Sequence, residues 1–189
     1  YRAFRNRALS LLAYQDNALL AKEQAKSAKN MTDQLSAFST VIKHNPSSEH
    51  INLFYDQWKH ERLVIDKWFS AQVLTAHPKA LNNVVNNLTS HSDFTITTPN
   101  RVRSVLGAFP ANTAGFHLET GENYKLFSDW ILKIDPVNPQ VGAKMCSAFE
   151  TWKRYDRKRQ KLIKSQIDRV LNAGSISKDA KEMLNRLIS

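Results

Sequence analysis

Two proline-started stretches carry the clearest chemistry in this sequence, and it is the chemistry of anion binding. In the first, Thr98 suits a helix N-cap and Pro99 the first helical position, and Val102, Val105, Leu106 and Phe109 then recur at i, i+3, i+4 and i+7. Arg101 and Arg103 fall on opposite flanks of that apolar stripe, where a long stem packs on the core and the guanidinium reaches out. In the second, Asn138 is the N-cap and Pro139 the first helical residue, and Lys144 stands beside the stripe Val141, Met145, Ala148. Two helix N-termini with unpaired N–H groups, together with Arg103 and Lys144, favour an anion such as a peptide carboxylate. Taken singly, such a cation reads better as a solvated helix shoulder. Convergence of the two helices is a property of the fold and cannot be read from spacing.

Other reactive residue types do not assemble into a site. The pair His60, Glu61 opens like the zinc-protease motif H-E-x-x-H, but the second histidine position is Val64, so two ligands do not share a helical face. His77, His91 and His117 are scattered, and the single cysteine, Cys146, excludes both an internal disulfide and a cysteine-based zinc site. No metal and no cofactor is assigned to this chain. One cysteine fits a reducing, cytoplasmic setting, and no apolar run approaches the ~18 residues of a membrane span.

The elements that must position these cations are helices. Only 5 Gly and 6 Pro in 189 residues leave little material for hairpins, while 42% hydrophobic residues are enough for a core. Helical stripes begin at Phe4, Ala8, Leu11, Leu12 and continue through Leu35, Phe38, Val41, Ile42 and Ile51, Phe54, Tyr55, Trp58. Leu63, Ile65, Trp68, Phe69, Val73 should pair antiparallel with the last of these. Leu81, Val84, Val85, Leu88 and Phe127, Trp130, Ile131, Ile134 repeat the pattern, with residues 110–121 read as a long connecting loop that could line a site. Helix starts every ~16–21 residues imply an all-α fold, an irregular armadillo- or HEAT-like solenoid of antiparallel pairs with about ten helices. Residues 1–189 read as one domain, and a start without Met inside an amphipathic pattern is expected of a fragment of a longer enzyme.

The net charge of +10 is concentrated at the C-terminal end, with +7 on residues 151–189 and +3 on residues 1–150. The basic run 153–164 offers an alternative function, a stand-alone helical-repeat module for nucleic acid or an acidic protein. Its aromatics sit in the core stripe and not among the charges, which weighs against nucleic acid.

Several stretches together resemble the C-terminal domain of bacterial aminopeptidase N, of the gluzincin-type zinc aminopeptidases. They are Asn30, Met31, Thr32, Asp33; Tyr55, Asp56, Trp58; Leu63, Val64 with Asp66, Lys67, Trp68, Phe69; Pro99 to Arg103; Gly107, Ala108, Phe109; Asn138 to Val141; and Lys153 to Asp156 with Arg159, Gln160. The resemblance implies a helical domain that closes over a catalytic domain and restricts its chamber to short peptides. It implies as partners the catalytic and N-terminal domains of the same polypeptide and short peptide substrates, with no membrane. Zinc would be held by the parent enzyme's catalytic domain, so the isolated chain is expected to be inactive. Carried over position by position, Arg103, Gln140 and Lys144 are expected in the substrate channel. Lys144 stands where the family commonly has arginine, which keeps the charge but loses the planar fork that grips a carboxylate at two points.

Overall fold

The structure, a computed structural model, describes all of residues 1–189 and contains helices only. Its contacts divide into two compact units, Tyr1–His77 and Pro78–Ser189. No helix is long and apolar enough to cross a membrane.

The first unit comprises α1 (Arg2–Asp16), α2 (Leu19–Ser27), α3 (Met31–His44), α4 (Ser48–Trp58) and α5 (Arg62–Thr75). Helix α3 is its centre, packed on the other four through a stripe that includes Ala37, Phe38, Val41 and Ile42, all buried. Asn30 caps it by accepting from the Asp33 N–H at 3.0 Å. The Asp33 carboxylate in turn accepts from Asn30 Nδ2 at 2.7 Å, from Arg5 and from Asn6 Nδ2 at 3.1 Å, which ties α1 to the start of α3. Those bonds, Asn30 foremost, hold its carboxyl down at about 2. The paired α4 and α5 pack together as the spacing predicts, with Trp68 Nε1 donating to the Ile51 carbonyl at 3.0 Å.

Helix α1 forms where the stripe predicts, but most of that stripe is not buried. Leu9 and Ala13 face inward, whereas Phe4, Leu11 and Leu12 are 79%, 56% and 44% exposed. The cause is that α1 is apolar on both faces, so periodicity alone leaves the choice of core face open.

The second unit runs through α6 (Leu81–Thr89), α7 (Pro99–Val102), a π turn (Arg103–Gly107), α8 (Thr113–Phe116), α9 (Glu122–Ile134), α10 (Pro139–Cys146), α11 (Arg157–Leu171) and α12 (Lys178–Ile188). Helix α10 packs against α9 and α12, and α9 against α11. Ten of the twelve α-helices are eight residues or longer, while α7 and α8 are single turns of four residues.

Two local expectations are revised here. The helix opened by Pro99 does not run on as α: it underwinds into the π turn, and Thr98, although extended and at the N-cap, makes no side-chain cap bond. Residues 110–121 are not wholly a loop, because Asn112 accepts from the Gly115 N–H at 3.2 Å and starts α8. That turn drives Phe116, fully buried, into the core. There Phe109, Phe116, Tyr124, Phe127 and Phe149 meet mostly edge to face, with Phe116 and Phe127 at 5.3 Å between centroids. Gly121 enters α9 in the left-handed region, φ 71°, where a side chain would also press on Leu162 at 3.0 Å.

Candidate functional site

A groove of about 410 Å³ lies in the second unit, between the π turn and α10. Val102, Leu106, Phe127, Val141 and Met145 supply its apolar lining, and Arg103 and Lys144 are its two charged residues. No carboxylate is among the residues that line it. Arg103 and Lys144 thus share one groove, whereas the helix starts at Pro99 and Asn138–Pro139 are not among its lining residues.

Each cation owes its place to local chemistry. Arg103 is the first residue of the π turn, exposed, with Val102 on one side and Ser104 on the other both buried. Its guanidinium reaches Asn100 Oδ1 at 3.3 Å, a neutral partner that leaves the charge uncompensated. On α10, the Asn138 side chain accepts from the Val141 N–H at 3.1 Å and Pro139 fills the first turn, as the sequence predicts. Val141 and Met145 then face the core and leave Lys144 exposed at the groove's edge. Gln140 is exposed one turn before Lys144 on the same face of α10, outside the residues that line the groove.

Helix α10 is held by contacts the sequence does not announce. Asp135, almost fully buried just before it, accepts from the Ser177 N–H and hydroxyl, each at 2.6 Å, and so joins the α9–α10 turn to the start of α12. Gly142 packs directly on that aspartate: a Cβ there would lie 2.5 Å from Asp135 Oδ1 and 2.8 Å from its Cα. Cys146, on the same helix, is buried, and desolvation with the nearby Asp135 charge pushes its thiol up to about 12.

Behind the apolar lining, Phe127 meets Phe116, and Phe116 meets Tyr124. The Tyr124 hydroxyl lies 2.8 Å from His117 Nδ1, and the Tyr155 hydroxyl lies 2.8 Å from His117 Nε2. Arg159 Nε donates to the His117 carbonyl at 2.6 Å. Desolvation, reinforced by the Arg159 charge, lowers His117 to about 4, and desolvation raises Tyr124 above the usual phenol range. Sequence reasoning missed this network, because an isolated histidine and two distant tyrosines carry no motif.

No group of three or more His, Cys, Asp or Glu side chains is arranged to hold a metal ion. His60 and Glu61 are exposed at the α4–α5 junction.

The all-helical fold and its cation-edged groove define a class, and comparison with known proteins places the chain within it. Residues 1–189 match the family described as "Domain of unknown function (DUF3458_C) ARM repeats", and the chain belongs to that family. It is 33% identical over 192 residues to aminopeptidase N of Haemophilus influenzae and 32% identical over 194 residues to that of Escherichia coli. These alignments cover 99% and 100% of this chain, which spans 22% of the length of each relative. Aminopeptidase N of Caulobacter vibrioides is 32% identical over 193 residues with the same 22% share. Among solved structures, aminopeptidase A of Legionella pneumophila, crystallised with aspartic acid, superposes with a TM-score of 0.91 at 30% identity, over 99% of this chain and 23% of that one.

Proposed function

We propose that this chain is the helical domain of a zinc-dependent, cytoplasmic aminopeptidase, one that removes N-terminal residues from peptides. In this reading the domain closes the active-site chamber, admits short peptides and holds their C-terminal side. Catalysis and zinc belong to other domains of the same polypeptide. The observation that carries the reading is the groove itself, where Arg103 and Lys144 stand at the edge of an apolar lining without an opposing carboxylate. An apolar side chain would rest on Pro110, Met145 and Ala148 while the terminal carboxylate meets the two cations. Gln140, one turn along α10, extends the same wall with a neutral donor and acceptor. The similarity to three aminopeptidase N sequences supports the enzyme class.

The test is Arg103→Ala in the complete enzyme. The KM for short peptides with a free C-terminus is expected to rise about tenfold, the scale of one charge-assisted hydrogen bond, while that for a small uncharged amide substrate stays within about twofold. Equal effects on the two substrates would remove the role.

A further inference from the structure

The first unit has a groove of its own, on the α2 and α4 side of α3. It measures about 420 Å³, within the range of sites that hold one small molecule. Helical spacing builds both walls. On α2, Lys22, Ala25 and Lys26 fall at i, i+3 and i+4, and on α4, His50, Leu53 and Gln57 fall at i, i+3 and i+7. The stacked rings of Phe38 and Phe54, 4.3 Å between centroids, close the floor. Gln34 Nε2 donates to Gln57 Oε1 at 2.9 Å and ties α3 to α4 there.

The groove holds positive charge that the chain does not answer. Lys22, half-buried, and Lys26, exposed, make no ion pair or hydrogen bond within the chain, and no carboxylate is among the lining residues. Like charges one turn apart repel, and an anion seated between them turns that repulsion into two attractions. Beside them the wall is apolar and open. Leu53 is 61% exposed, and the small side chains of Ala25 and Ala28 leave room in the groove it lines. No guanidinium, the fork that suits phosphate, is part of the lining, so a single carboxylate matches the two ammonium heads better. A molecule with a carboxylate head and an apolar body satisfies both features at once.

We infer that this groove is a binding site for a free alkyl carboxylate of medium chain length, its carboxylate between Lys22 and Lys26 and its chain along Leu53 and Ala25. The site goes beyond the proposed function, since it belongs to the first unit and makes no use of Arg103 or Lys144.

The experiment is equilibrium dialysis of radiolabelled decanoate against the complete polypeptide at neutral pH, below the concentration at which decanoate forms micelles. The native protein is expected to hold one more equivalent per chain than Lys22→Gln/Lys26→Gln, with a Kd on the order of 0.1 mM that the double variant weakens at least tenfold. Glutamine keeps the helix propensity of lysine, so α2 stays folded. Lys22→Arg/Lys26→Arg, which keeps both charges, should bind within about threefold of native, and Leu53→Asp, at an exposed position, should bind at least fivefold more weakly. Equal stoichiometry in the native and Lys22→Gln/Lys26→Gln proteins overturns the site. Decanol bound as tightly as decanoate overturns the carboxylate. An equal loss on Lys178→Gln/Lys181→Gln, exposed on α12, would mean that decanoate reads net charge alone, which also overturns the site. Binding that vanishes as the protein is concentrated a hundredfold would give the groove to a second copy instead.

Discussion

Asp135 and Ser177, 42 residues apart, are joined twice, the serine donating both its N–H and its hydroxyl to the carboxylate at 2.6 Å. The same hydroxyl accepts from the Ala180 N–H at 3.2 Å and caps α12. One side chain thus closes the turn before α10 and begins the helix that packs against it. Asp135→Ala strips the acceptor from two donors, and a loss of about 2–4 kcal/mol is expected in urea unfolding. Asp135→Asn, which keeps one acceptor oxygen, should lose less.

Gly142→Ala tests the same junction from the α10 side. The new methyl would meet Asp135 backbone as well as side-chain atoms, so α10 must shift. Destabilisation of about 1–3 kcal/mol is expected, as for other overpacked sites. Because Lys144 rides on this helix, the complete enzyme should also show a higher KM for peptides with a free C-terminus.

Lys144→Arg supplies the planar fork at the groove's edge. It is expected to lower the KM for peptides with a free C-terminus about two- to fivefold and to leave C-terminally amidated peptides unchanged. An equal change for both peptide forms would show that Lys144 does not meet the carboxylate.

Acid should weaken the second unit through His117. Its folded-state value, about 4, lies below the 6.5 of an unconstrained histidine, so the unfolded chain binds the proton more readily between those limits. The stability this neutral ring contributes is full above about pH 6.5 and is lost as pH falls towards 4. Urea midpoints at pH 7 and pH 5 are expected to differ more for the native sequence than for His117→Gln.

The basic run 153–164 is expected to bind nucleic acid poorly. Lys158 pairs with Glu119, Arg159 with Asp156 and Glu119, and Lys164 with Asp168, so three of its seven cations are already answered within the chain. Anisotropy titrations with single-stranded DNA should give a Kd weaker than about 10 μM at physiological salt. Tight, steeply salt-dependent binding would make the alternative reading the better one.

What could be read beforehand follows a physical divide. Caps, prolines and stripes are local, and so Asn30, Asn138 and Ser177 start helices where the residue types put them. An apolar period does not say which of two apolar faces of α1 is covered, and Leu11 and Leu12 are exposed. Phe116 lies within the 110–121 stretch that reads as a loop, and its core role depends on Phe109, Phe127 and Phe149, partners from three other segments. The meeting of Arg103 with Lys144 depends on helix packing and was legible only as a possibility.

The π turn at Arg103–Gly107 makes the position of a charge depend on chain length. A π turn is one residue richer than the α turn it replaces, so it is the mark of an insertion accommodated within a helix. Removing one residue between Arg103 and Gly107 would let that turn rewind as α, swinging Arg103 by about 100° relative to Phe109. Every side chain would survive such a deletion except the one removed, yet the guanidinium would leave the groove. A comparison of related chains that scores only residue identity would count that arginine as retained, although its place in the groove had gone.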